Sequence, residues 1–90
     1  MDKSLITEKS WVCEGEVLKK SFVFESQTQL ALFLLEIAKV ADKMQHHPDC
    51  DIRKCSQLHI SLTTHDAQKL TTLDWTLAKR IEECFKNYSA

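Results

Sequence analysis

The amino-acid sequence predicts an α+β fold: a two-layer sandwich in which one four-stranded antiparallel sheet carries its helices on one face, in the order β-β-α-β-β-α. Three observations predict it. Two runs alternate apolar and polar residues at period two, and each is followed by an apolar stripe at the 3.6-residue period. Each stripe is opened by a capping signal, Ser26-x-x-Gln29 for the first and Thr71-x-x-Asp74 for the second. One glycine and one proline among 90 residues leave little room for irregular chain.

Residues Met1 to Ser10 are polar apart from Leu5 and Ile6, and read as a short helix or a frayed end. Trp11-Val12-Cys13 reads as a short strand. Glu14-Gly15-Glu16 turns, with the sole glycine where a positive φ is cheapest. Val17 to Phe24 is the second strand, sending Leu18, Phe22 and Phe24 to one face and Lys19 and Ser21 to the other. A helix then runs from Ser26 to about Gln45, with Leu30, Phe33, Leu34, Ile37, Ala41 and Met44 on one stripe. Leu32 and Leu35 project to its opposite side. A helix apolar on two sides is buried on two sides, and in so small a domain the second burial comes most simply from another subunit. Pro48 forbids the helix from continuing. Asp51 to Cys55 reads as a short strand, and Leu58 to Thr63 as a clear one with Leu58, Ile60 and Leu62 inward. The loop Thr64 to Leu70 leads to a last helix over Thr72 to Lys86, whose inner stripe is Asp74, Leu77, Ala78, Ile81, Cys84 and Phe85.

A chain of 90 residues makes one domain with a small core, the size at which disulfides, metal or oligomerisation commonly add stability. Twelve basic and 13 acidic residues are interleaved, for a net charge of −1, so the basic footprint of a nucleic-acid binder is absent. No long apolar run and no secretory signal appear, which predicts a cytoplasmic protein with four reduced cysteines in small core or half-buried positions.

All four histidines lie between Asp42 and Asp74. Imidazole exchanges protons near neutrality, and His46, His47 and His65 sit at element boundaries, where a scaffold exposes polar groups. Helix-end or surface positions account for each histidine alone; their clustering points to acid–base chemistry. Asp74 shares the inner stripe of its helix, and a charge buried without a partner costs several kcal/mol. It reads as an N-terminal cap, or as a carboxylate that orients a neighbouring imidazole. Cys50, Cys55, His59 and His65, with His46 and His47, supply enough donors for zinc, yet without the spacing of a ribbon or finger, so no metal is expected. No nucleophile elbow or glycine-rich phosphate loop is present.

The series Asp42-Lys43-x-x-His46-His47-Pro48, then Leu62-Thr63-Thr64-His65-Asp66, then Leu70-Thr71-x-x-Asp74-x-x-Leu77-Ala78 resembles the pterin-4a-carbinolamine dehydratase family. Lys20-x-Phe22-x-Phe24 and Trp11 also fall where that family has similar residues, so the likeness covers nearly the whole chain. The resemblance implies dehydration of 4a-hydroxytetrahydropterin to quinonoid dihydropterin by histidine acid–base catalysis, in tetrahydrobiopterin recycling. It implies His46, His47 and His65 as catalytic residues, with Asp42 and Asp74 as supporting carboxylates. His46, His47 and Pro48, with Thr64, His65, Asp66 and Ala67, would line the pterin pocket. Pterin is then a substrate, and no cofactor is implied. A homodimer or homotetramer is implied, with no direct nucleic-acid contact and no membrane. The alternative within the family is a non-catalytic dimerisation or assembly factor, coactivator-like and then also nuclear.

Three departures from the family pattern carry expectations. Cys55 stands where an aromatic residue is usual. The segment from Pro48 to His65 is one residue longer than in many relatives, which suggests a bulge in the third strand. Lys69 stands where glycine is usual, so a positive φ there would cost about 1–2 kcal/mol.

Overall fold

The computed structural model describes residues 11–88, and the expected short helix over residues 1–10 lies outside them. The elements are β1 (Val12–Glu14), β2 (Val17–Val23), α1 (Gln27–Met44), β3 (Asp49–Arg53), β4 (Gln57–Leu62) and α2 (Thr72–Phe85). The strands form one antiparallel sheet in the order β1-β2-β4-β3. The predicted α+β class and element order hold.

Register explains which side chains meet. Leu18 pairs with Leu62, Lys20 with Ile60 and Phe22 with Leu58, so alternate residues of β2 and β4 face the helices together. Leu18, Phe22, Leu58, Ile60 and Leu62 are buried, with Phe24 just past the end of β2. Leu30, Phe33, Ile37 and Ala41 of α1 and Leu77, Ala78 and Ile81 of α2 cover them. Phe22 and Phe33 lie 5.3 Å apart between ring centroids, and Phe22 and Phe85 4.7 Å. Lys20 occupies the same inward face. Its ammonium is 4.7 Å from the centroid of the Phe22 ring and ion-paired with Glu82 of α2, so charge and cation–π attraction replace the apolar contact the alternation calls for.

The Ser26 hydroxyl caps α1 by accepting the Gln29 N–H at 3.1 Å. The Gln29 amide oxygen reaches back to the N–H of Glu25 at 3.2 Å, one residue before the cap. At the other end Gln45 adopts the left-handed conformation at φ 55 and closes the helix ahead of Pro48. Leu32 and Leu35 are 50% and 53% exposed on the outward side of α1.

Several sequence expectations change. The third strand is Asp49–Arg53 and not Asp51 to Cys55, and it pairs with β4 in an unbroken register from Asp49↔Ser61 to Arg53↔Gln57. The expected bulge is therefore absent. The connection instead bends through Lys54 and Cys55, which both take positive φ, 52 and 60. Cys13, Cys50 and Cys55 are exposed and Cys84 is half-buried, so three of the four thiols stand outside the core. Trp75 is 47% exposed, whereas Trp11 is buried.

Left-handed backbone at a residue with a Cβ is unfavourable by roughly 1–2 kcal/mol, and glycine removes that strain at a smaller entropic cost. Cys55→Gly is expected to stabilise the fold by about 0.5–1 kcal/mol, a rise of a few degrees in melting temperature. A calorimetric melt of the two proteins checks this; a lower melting temperature in the variant would show that the turn carries no strain.

Among the described residues no helix is long and apolar enough to cross a membrane.

Candidate active site

The two helices bring their opposite ends together, α1 by its last turn and α2 by its first. Past the left-handed Gln45, the His46 N–H is held by the carbonyl of Ala41 at 3.1 Å. The ring then reaches the start of α2, where its Nε2 donates to Asp74 Oδ1 at 2.6 Å. Asp74 Oδ2 accepts from the Thr64 hydroxyl at 2.7 Å and from the Thr71 N–H at 3.0 Å. The Thr64 and Thr71 hydroxyls are themselves 2.7 Å apart. Asp74 is thus both the N-terminal cap suggested by the sequence and the partner of an imidazole. It is the only buried charged residue among those described, with 0% exposure.

Burial pushes the Asp74 carboxyl pKa up, but the hydrogen bonds from His46, Thr64 and Thr71, with the charge of His46, outweigh it and hold the group below the ordinary carboxylate value. An ionised carboxylate can only accept, so His46 Nε2 carries a hydrogen. In its neutral form His46 therefore presents Nδ1 as its lone-pair nitrogen.

His47 and His65 are placed differently. His47 Nε2 bonds Asp42 Oδ1 at 2.8 Å across the end of α1, and both side chains are exposed. His65 projects from the loop after β4, 73% exposed, with its Nε2 3.8 Å from Asp49 Oδ2, beyond hydrogen-bond reach. That loop is a tight turn. The Thr64 carbonyl accepts the N–H groups of Ala67 and Gln68 at 3.1 and 2.8 Å, and the Thr64 N–H meets the carbonyl of Lys69 at 3.3 Å. Its positive φ falls on Gln68, at 56, so the strain expected at Lys69 sits one residue earlier.

His46, His47 and His65 line a single cleft of about 310 Å³ together with Gln45, Thr63, Thr64, Asp66 and Leu73. Pro48 and Ala67 stand outside that lining. Asp42 and Asp74 lie behind the lining, each bonded to one of its imidazoles. His59, the fourth histidine, is on the outer sheet face, with Nδ1 2.6 Å from the Ser21 hydroxyl. Cys55 is in a turn and His59 points to the outer face, and among the described residues no group of three metal-ligating side chains converges.

Sequence reading missed Asp49, the carboxylate near His65, and Leu73, the apolar wall. Asp49 is near His65 because β3 pairs with β4, a relation that only the cross-strand register reveals. Leu73 sits on the first turn of α2, off the apolar stripe, and carries no periodic signal.

An α+β sandwich with three imidazoles around one polar cleft, two of them bonded to carboxylates, has the equipment of a proton-transfer protein. A family profile for pterin 4 alpha carbinolamine dehydratase matches residues 1–84. The chain belongs to the pterin-4a-carbinolamine dehydratase family. It is 41% identical over 75 residues to a provisionally named pterin-4-alpha-carbinolamine dehydratase of Sulfurisphaera tokodaii, covering 83% of this chain and 80% of that one. A provisionally named relative in Thermomicrobium roseum is 35% identical over 81 residues, covering 89% and 86%. Among solved structures, the transcriptional coactivator/pterin dehydratase from Brucella melitensis superposes with a TM-score of 0.79 at 26% identity, over 93% of this chain and 90% of that one. A pterin dehydratase-like protein identified as a RuBisCO assembly factor in the alpha-carboxysome shares the fold, with a TM-score of 0.71 at 23% identity over 83% and 88%.

Proposed function

We propose that the protein dehydrates a 4a-hydroxytetrahydropterin to the quinonoid dihydropterin and water, with His46, His47 and His65 as its catalytic residues. The observation that carries this reading is the meeting of all three imidazoles on one cleft. The reaction breaks the C4a–O bond as a proton reaches the departing hydroxyl, and a ring nitrogen gives up its proton as the C=N bond forms. Positioned imidazoles perform both transfers, each contributing typically 10²–10⁴-fold. Asp74 fixes the tautomer and aim of His46, and Asp42 does the same for His47. Thr64 and Asp66 border the bound pterin, with Pro48 and Ala67 at its rim. The pterin is substrate, and the proposed steps use no separate cofactor or metal. The setting is cytoplasmic recycling of tetrahydrobiopterin.

The test is direct. A freshly generated 4a-hydroxypterin is expected to dehydrate faster with catalytic amounts of the protein, followed by absorbance. A folded wild-type protein that leaves the spontaneous rate unchanged would remove the enzyme reading.

In the same proposal the protein works as a homodimer or homotetramer through the outward side of α1. Leu32 and Leu35, both about half exposed, lie on one side of α1 away from the core. Leu35→Lys is expected to shift the species seen in sedimentation velocity toward monomer. An unchanged oligomer would place the interface elsewhere. The same apolar face favours the second reading, a docking or assembly role for this fold, which predicts an intact oligomer with no dehydration.

A further inference from the structure

We propose that the β1–β2 turn latches the loop that carries His65, with Glu16 as the positioning residue. This rests on the reading of His65 as a catalytic group and adds a residue to it. Two ties from Glu16 bracket the loop. The Glu16 carboxylate accepts the backbone N–H of Leu70 at 2.9 Å, at the end of the turn that follows His65. The Glu16 carbonyl accepts the Thr63 hydroxyl at 2.7 Å, two residues before His65.

Local sequence puts Glu16 there. Glu14 pairs with Val17, so Gly15 and Glu16 are the two loop residues of a hairpin. Gly15 takes φ +61 at the first of them, the conformation glycine supplies at least cost. The turn thereby presents both the carbonyl and the carboxylate of Glu16 to the far end of β4.

The latch has a job because the His65 loop has few other ties. Its residues 65–69 are exposed, and its internal bonds are short-range, through Thr64 and through the His65 carbonyl, which accepts the Gln68 N–H at 3.1 Å. The His65 ring is beyond hydrogen-bond reach of Asp49, its nearest carboxylate. Thr64 is anchored on Asp74, which fixes the start of the loop against α2. Glu16 fixes its end. With both ends held, the imidazole of His65 is kept over the cleft shared with His46 and His47. A catalytic group displaced by about 1 Å can lose on the order of 10²-fold in rate, so a loop freed at one end is expected to lose part of that.

What Glu16 supplies is an acceptor at a fixed point, not charge. Glu16→Gln keeps an oxygen there, and Glu16→Ala removes it. Two readouts apply to both variants: amide exchange at Leu70 by NMR, which needs no substrate, and the dehydration assay. Glu16→Ala is expected to exchange Leu70 about tenfold faster and to lower kcat about tenfold with little change in KM, while the fold and melting temperature stay near wild type. Glu16→Gln is expected to match wild type in both. Unchanged Leu70 exchange in Glu16→Ala would overturn the latch. A Glu16→Gln variant as impaired as Glu16→Ala would overturn it as well, because charge would then be the agent. Wild type inactive toward the pterin, with Leu70 still freed in Glu16→Ala, would sink the dehydratase reading and with it the role of Glu16 in positioning a catalytic group.

Discussion

Asp74→Ala is expected to destabilise the fold by about 3 kcal/mol and to remove measurable dehydration. Three donors converge on this carboxylate: the His46 ring, the Thr64 hydroxyl and the Thr71 N–H. Losing the helix cap costs about 1 kcal/mol. Leaving buried or half-buried donors unsatisfied costs about 1–3 kcal/mol more. Against the 5–15 kcal/mol that holds a typical domain together, that is a large fraction. Asp74→Asn separates the contributions. It keeps one acceptor oxygen, but its amide hydrogens oppose a donor, so an intermediate loss is expected. The pH response supplies a second measurement. The folded-state pKa of Asp74 is depressed, so its contribution to stability is fully present above the unfolded value near 3.9 and is lost as pH falls through the folded value. In Asp74→Asn that acid-side loss should disappear, giving a flatter decline of melting temperature with falling pH. An Asp74→Ala protein with wild-type stability would contradict the bridging role.

His65→Ala is expected to behave in the opposite way. Its ring is 73% exposed and unbonded, so stability should stay within about 0.5 kcal/mol of wild type. Activity should nevertheless fall by about 10²–10⁴-fold, the usual worth of a general acid or base. A stable His65→Ala variant with full activity would leave only His46 and His47 to carry the chemistry. The pair of variants therefore distinguishes a group that builds the cleft from one that only works in it.

The strands β2 and β4 and both helices were legible in the sequence because each carries a periodic apolar stripe that burial enforces. Asp74 was legible as a conflict: a carboxylate on an apolar stripe demands a partner, and His46 is that partner. The bounds of β3 were not legible. Every residue of β3 is exposed, so its register comes from β4 and not from any pattern of its own. The turn at Lys54 and Cys55 was hidden because non-glycine residues at positive φ leave no compositional mark. Lys20 faces inward against the alternation rule, and only the opposing Glu82, far along the chain, makes that position tolerable. Asp49 and Glu16 were invisible for the same reason. Asp49 comes near His65, and Glu16 bonds the ends of its loop, only because strand pairing brings distant chain together.

The double duty of Asp74 bears on how such a sequence would drift once selection for dehydration lapsed. A descendant kept only for the shape of its surface would still gain stability from the Asp74–His46 brace, so those two residues would be retained whether or not the chemistry was. His47, whose one bond is to an exposed Asp42, and His65 add little to stability, and mutation would erase them first. Under the proposed function, the informative letters in a search through distant kin for working enzymes are therefore the two imidazoles at the rim, because the brace is kept for the architecture as well.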